Sequence, residues 1–228
     1  GEPEKALGLI KARKFHQWEG GEGKVAAQYL TALYQLAKAA VEKEDYAEAK
    51  ELLLRAVGEY PHNLGEGKLE SGQENNLYYL LGLVQEKLGE AKDAFESLTR
   101  ACCGESEPVG MMYYNDQPPE MIYYQGLAYR MLGEEEQAVR RFQKLVDYGR
   151  EHIRDDVKID YFAVSLPDLL IFEENLNERN RKHCLFMMSL GLKGLGRIDE
   201  AEKCAEELLA MDNAHQEIRV HEIGRAHV

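Results

Sequence analysis

Two glycine-rich segments carry the first chemically suggestive spacing in this chain. His16-Gln-Trp-Glu-Gly-Gly-Glu-Gly-Lys24 is echoed by His62-Asn-Leu-Gly-Glu-Gly-Lys68. A Gly-Lys pair invites comparison with a phosphate-cradling loop, in which backbone N–H groups and a lysine hold phosphoryl oxygens. That loop needs a glycine five places before the Gly-Lys and a Ser or Thr after it. Trp18 and His62 occupy the first place, and Val25 and Leu69 the second, so nucleotide binding is not implied. Two readings of the loops remain open. They are glycine-permitted junctions with solvated charges, or they form a polar rim to a ligand groove. In the second reading His16, Glu22, Lys24, His62, Asn63, Glu66 and Lys68 supply the polar groups and Trp18 a stacking face. A further tip, Tyr113-Tyr114-Asn115-Asp116, precedes Pro118-Pro119. Its rings either cover an edge of the fold or touch a ligand. Carboxylate pairs occur at Glu19 with Glu22 and at Asp155 with Asp156 near His152. None is joined by a nucleophile, a base and an orienting group at an interpretable spacing. The chain is therefore read as non-catalytic, with no cofactor and no metal.

The elements that must position these groups repeat along the chain. Tyr78-x-x-Leu81-Gly82 is followed by Ala94-x-x-x-Leu98, and Ile122-x-x-Gln125-Gly126-x-x-Tyr129 by Ala138-x-x-x-Phe142. Weaker copies run Leu33-x-x-Leu36-Ala37 then Ala49-x-x-x-Leu53, and Leu185-x-x-Met188-Ser189 then Ala201-x-x-x-Ala205. In each copy the small residue of the first segment and the alanine of the second keep one separation: 37 to 49, 82 to 94, 126 to 138, 189 to 201. Small residues at such places let two antiparallel helices approach. The pattern resembles the tetratricopeptide repeat, a helix-turn-helix unit of ~34 residues. The resemblance implies an all-α solenoid over residues 1–221, with a truncated repeat at 1–18 and repeats near 30–63, 75–108, 119–152 and 182–215. Helix pairs are predicted at 25–42 with 46–59, 75–88 with 91–102, 120–132 with 135–148, and 181–195 with 198–211. Glu4–Lys14 is predicted to be a lone second helix. Gly89, Gly133 and Gly196 are predicted to close first helices. Repeat starts lie 45, 44 and 63 residues apart, so each junction carries extra chain, and insertions in such arrays gather on one face. The longest, residues 153–180, contains the apolar run Asp160 to Phe172 and is expected to pack on the array.

In such arrays the first helices line the concave face. One equivalent position there holds Tyr34, Tyr79, Tyr123 and Phe186. The position one turn earlier holds Thr31, Asn76, Glu120 and His183, and the position one turn later Lys38, Leu83, Leu127 and Leu190. An aromatic stripe of this kind either packs against the next repeat or lines a recognition groove. The groove reading nominates Tyr34, Tyr79, Tyr123, Phe186, Asn76, Glu120 and His183 as ligand contacts. It predicts that Tyr79→Ala and Tyr123→Ala keep helicity and lose binding. The Lys and Asn of the family's peptide-carboxylate clamp are replaced here by aromatics and Leu, so capture of a chaperone-type C-terminal peptide is not implied.

Charge and cysteine usage narrow the partners. Acidic residues outnumber basic ones by 41 to 28, for a net charge of −13 over 228 residues. Such a surface repels phosphate backbones and anionic lipid, so nucleic acid and membrane are not expected partners. Four cysteines, 102, 103, 184 and 204, show no metal or disulfide spacing, which suits a reducing, cytoplasmic setting. Both ends read as cut: Gly1 is not an initiating Met, and Glu222-Ile-Gly-Arg-Ala-His-Val228 has no helical period. That tail matches the in-frame translation of a common sequencing-library adapter and is expected to be non-native.

The GEGK loops, YYNDQPPEM and IDYFAVSLPDLLIFE also resemble the C-terminal repeat region of large uncharacterised bacterial proteins. In those proteins a β-sandwich reminiscent of carbohydrate-active enzymes precedes the repeats. The leading reading is a binding scaffold that holds a protein segment, or its own missing N-terminal domain, through the aromatic groove. The alternative is an accessory domain of a carbohydrate-processing enzyme that borders a glycan site.

Overall fold

The computed structural model describes residues 2–17, 21–68, 73–110, 116–158 and 175–221. The apolar run 160–172, the Tyr-rich tip at 111–115 and the tail at 222–228 lie outside them. Among the described residues the fold is all-α. Ten α-helices follow one another: α1 (Pro3–Lys11), α2 (Lys24–Glu42), α3 (Tyr46–Val57), α4 (Asn75–Lys87), α5 (Ala91–Ala101), α6 (Pro119–Met131), α7 (Glu135–His152), α8 (Leu176–Gly194), α9 (Ile198–Met211) and α10 (Gln216–Val220). The eight helices predicted as four pairs are all present, with ends shifted by a few residues. The largest shifts are at α7, which runs on to His152, and at α8, which begins five residues early. Asn175 explains the second. Its side chain accepts from the N–H groups of Asn177 and Glu178, a strong N-cap placed ahead of a polar stretch that has no apolar period.

The chain divides into two compact units, Gly1–Ala101 and Cys102–Val228. In the first, α1 packs on α2, α2 on α3, α3 on α4 and α4 on α5. In the second, α6 packs on α7, α7 on α8 and α8 on α9, and α6 also reaches α8.

One device closes the first helix of every pair. The residue after the last turn takes a left-handed conformation: Gly89 (φ 78°), Gly133 (φ 81°), Gly196 (φ 74°) and, in the first pair, Glu44 (φ 59°). The next N–H then reaches back five residues: Asp45 to Ala40, Glu90 to Gln85, Glu134 to Tyr129 and Arg197 to Leu192, each at 2.9 Å. This bond satisfies a carbonyl that the helix end leaves open, and it turns the chain into the second helix. Glycine adopts the left-handed conformation without a Cβ penalty; Glu44 does not.

The crossings of α4 with α5 and of α6 with α7 depend on missing side-chain volume. A Cβ placed on Gly82 would stand 2.7 Å from Leu98 Cγ and 3.3 Å from the Ala94 carbonyl oxygen. The glycine thus makes room for the large residue one turn past the alanine as well as for the alanine's backbone. In the second unit the same role is larger. Phe142 is fully buried, and its ring fills the space where Cβ atoms on Gly126 of α6 and Gly194 of α8 would lie. Arg130 lies over that ring at 5.0 Å, donates from Nη1 to the Gly194 carbonyl at 2.9 Å and pairs with Glu135 at 2.7 Å.

Two outcomes follow from this packing. Glu44→Gly, at an exposed site, raises stability by about 1 kcal/mol in chemical denaturation. An unchanged midpoint would mean that the turn does not strain Glu44. Gly126→Ala lowers stability by about 1–3 kcal/mol through overpacking. Adding Phe142→Leu to it costs less than Phe142→Leu costs alone, and strict additivity in that double-mutant cycle would refute the ring-to-glycine contact.

Candidate functional site

The position three residues before the aromatic stripe does its most distinctive work in the second unit. Glu120 sits in the first turn of α6, behind Pro118 and Pro119, which set the helix entry. His183 and Phe186 lie one turn apart on α8, with Arg179 and Lys182 on the same side. These residues, with Gly110, Asp212, His215 and Glu217, line one cavity of 420 Å³. Arg179 and Lys182 bring positive charge to it, and Asp212 and Glu217 negative charge. Lys182 stands 3.7 Å from Glu178 and 3.8 Å from Asp212, long separations for a partly exposed pair.

Three titratable groups in the cavity wall, Glu120, His183 and His215, are shifted from their ordinary pKa values. His183 Nε2 lies 2.8 Å from the Val109 carbonyl oxygen. A carbonyl only accepts, so Nε2 carries the proton in this bond. Burial lowers the His183 pKa to about 4, outweighing that bond, so the ring is neutral at pH 7. Burial also pushes Glu120 up to about 7, with the Glu217 charge adding to the shift and a backbone hydrogen bond opposing it. His215 is lowered, again chiefly by burial, with Glu217 and Asp212 acting against it. Its Nδ1 accepts from the Ile218 N–H at 3.3 Å, and its ring lies 5.4 Å from Phe186. Beneath them the Tyr124 hydroxyl meets His221 Nδ1 at 2.8 Å. His221 Nε2 lies 4.0 Å from Glu120 Oε1.

Family models of the tetratricopeptide repeat match residues 34–108 and 120–148. These segments are tetratricopeptide repeats. The first match begins within α2 and runs through α5, and the second covers α6 with most of α7; the pair α8–α9 lies outside both and shares their hairpin form. Similar solved structures include two crystal structures of MamA. One is 17% identical, covering 87% of this chain and 97% of that one at a TM-score of 0.31. The other is 16% identical, covering 99% of each chain at 0.31. A third is a crystal structure of nearly identical TPR-like repeats of a provisionally assigned kinesin light chain from Podosopora anserina. It is 15% identical, covering 95% of this chain and 99% of that one at a TM-score of 0.38. Likenesses at these values carry no argument about groove geometry or partners. Tetratricopeptide repeats in general mediate protein–protein contacts and are typically non-catalytic.

Of the nominated groove residues, Glu120, His183 and Phe186 come together in this cavity. Tyr123, beside Glu120, points instead into the hairpin core: it is 6% exposed, with its ring 5.7 Å from Phe142 and 5.4 Å from Tyr124. Tyr34 is likewise buried, with Lys38 Nζ 5.9 Å from its ring. Tyr79 and Asn76 are half-buried on α4.

The loop rim divides. His16, Glu22, Lys24 and His62 are exposed, and Asp116 is half-buried. Asn63, Glu66 and Lys68 have structural partners. Asn63 Nδ2 donates to the Ile10 and Arg13 carbonyls at 2.9 Å, closing the end of α1. Glu66 accepts from the N–H groups of Gly23 at 2.8 Å and Ala26 at 3.0 Å, capping α2. Lys68 reaches the Val57 carbonyl and pairs with Glu74 at 2.7 Å. Gly65 is left-handed and lies against the Phe15 carbonyl, where any Cβ would collide. Trp18, Tyr114 and Asn115 lie outside the described residues. Among the described residues no group of three or more His, Cys, Asp or Glu is placed to hold a metal ion, and no helix is long and apolar enough to cross a membrane.

Sequence reasoning did not reach Arg179, Lys182, Tyr124, Asp212, His215, Glu217 or His221. Arg179 lay ahead of the predicted start of its helix, and only the Asn175 cap could have pulled it in. Asp212 to His221 follow the last alanine motif and carry no repeat signal.

The shifted groups set opposed pH dependences. The folded pKa of Glu120 lies above its ordinary 4.5, so its contribution weakens as pH rises from that value toward about 7. The folded pKa of His183 lies below its ordinary 6.5, so its contribution weakens as pH falls toward about 4. Glu120→Gln removes the first effect alone. Between about pH 5 and about pH 8 the variant gains about 1–3 kcal/mol on the parent protein in denaturant melts. A constant difference would mean that Glu120 is solvated.

Proposed function

We propose that this chain is a non-catalytic scaffold whose second unit binds a segment of another protein in the cavity between α6 and α8. The observation that carries this reading is the convergence of Glu120, His183 and Phe186, equivalent positions of two successive repeats, on one cavity with charges of both signs. Phe186 offers an apolar floor, and Arg179 and Lys182 offer donors to a carboxylate or a backbone carbonyl. Glu120, whose pKa is raised to about 7, changes between donor and acceptor near neutral pH. A mixed wall of this kind fits a peptide with both apolar and polar side chains better than a polyanion.

Tyr79 and Asn76, half-buried on α4, are proposed as a second contact surface in the first unit; Tyr34, buried there, is not part of it. A cytoplasmic setting is part of the same proposal. It rests on the cysteines: Cys184 is buried and its thiol is pushed up to about 12 by burial, as is that of Cys102, so neither is a ready nucleophile. An accessory role beside a glycan site, with the repeats docked on an N-terminal β-sandwich, is placed second. It rests on the loop rim, where Asn63, Glu66 and Lys68 already serve the ends of helices.

The test is a fluorescence titration of the full chain against a peptide library and a glycan library. A peptide is expected to bind, and Lys182→Glu to weaken that binding by about tenfold or more with the cooperative melt retained. Glycan binding that is insensitive to Lys182→Glu would overturn the reading.

A further inference from the structure

The cavity between α6 and α8 already has a neighbour that resembles a ligand. After α9 ends at Met211, the chain turns through residues 212–215 and forms α10, a helix of five residues. A helix this short does not persist in water by itself; its form depends on what it lies against. Its residues divide by face. Gln216, Glu217 and Arg219 are exposed, whereas Ile218 is 3% and His221 8% exposed. His215, Ile218 and His221 fall three residues apart, on one side of the helix.

The two imidazoles on that side meet rings of α8 and α6. The His215 ring is 5.4 Å and the His221 ring 6.4 Å from Phe186 of α8. His221 also lies 5.4 Å from the Tyr124 ring of α6 and shares a 2.8 Å hydrogen bond with its hydroxyl. The segment thus spans from α8 to α6, across the face assigned above to a partner, and its His215 and Glu217 form part of the cavity wall.

We propose that α10 is an intramolecular occupant of the α6–α8 groove, and that the partner that displaces it carries the same signature, a short helix with an aliphatic side chain three residues before an imidazole. The proposal rests on the groove reading above and adds the chemistry of its ligand. In the partner complex the aliphatic group takes the Ile218 site, and the imidazole takes the hydrogen bond to the Tyr124 hydroxyl beside Glu120.

The probe is a fluorescein-labelled peptide with the sequence of residues 212–221, titrated into the full chain. It binds the Ile218→Asp variant at least tenfold more tightly than the parent protein, in which α10 covers part of the groove. Adding Tyr124→Phe to Ile218→Asp weakens binding severalfold without lowering the melting temperature, and a probe lacking its own isoleucine does not bind. His221→Ala is the milder release variant and gives a smaller gain in the same direction. Equal affinity in the parent and both release variants would overturn the proposal. So would loss of the cooperative melt in both variants, because an occupant must be dispensable for the fold. Library peptides that bind the groove equally with and without Ile218→Asp would leave the groove reading standing and remove this inference. Failure of every peptide in every background would remove both.

Discussion

The fold depends on volume that is absent. The pairs α4–α5 and α6–α7 cross where one helix has no side chain and the other offers a bulky one. Leu98 occupies the gap at Gly82, and Phe142 the gap at Gly126. Phe142 goes further, because Gly194 of the next repeat opens toward the same ring. One aromatic side chain therefore sets the spacing of α6, α7 and α8 together, and the cavity lies between two of those three. Arg130 reinforces the arrangement by covering the ring while bonding the carbonyl of Gly194. Close packing of this kind has few alternatives, since interiors tolerate neither voids nor overlaps.

Polar groups do a different job. Buried glutamines and asparagines tie irregular chain to helices. Gln125, fully buried, donates to the carbonyls of Cys103 at 3.1 Å and Glu105 at 2.8 Å and accepts from Arg141 at 3.1 Å. Asn180 donates to the His152 carbonyl at 2.7 Å and so closes α7. Asn75 does the same for Ala101 at the end of α5, at 2.8 Å. The two asparagines satisfy carbonyls at helix ends, and Gln125 fixes the loop that follows α5. In the cavity wall the buried polar groups are titratable instead: burial raises the pKa of Glu120 and lowers those of His183 and His215.

Much of the hairpin fold was legible in the sequence, because it is written in local terms. A small residue, a left-handed closer seven places later and an alanine five beyond that recur in every copy, and each has a direct physical meaning. The first copy shows the limit: Glu44 does what glycine does elsewhere, and nothing in its type announces it. The candidate cavity was legible only in part. Repeat equivalence pointed to Glu120, His183 and Phe186, but it could not say that Tyr123, at the same position as Phe186, turns into the core. That choice is made by Phe142, from another helix. Nor could it find His215 and His221, which belong to no repeat and act through their place in space.

The Glu66 carboxylate, which accepts from Gly23 and Ala26, bears on the order of folding. Repeat hairpins form contacts mostly between near neighbours, so their assembly is expected to be fast and stepwise. Here the opening turn of α2 is completed by a residue 43 positions downstream of Gly23. The first complete hairpin does not reach its final form until the loop that follows it has arrived. Those two pieces of chain, distinct as sequence motifs, are one unit in the folded hairpin.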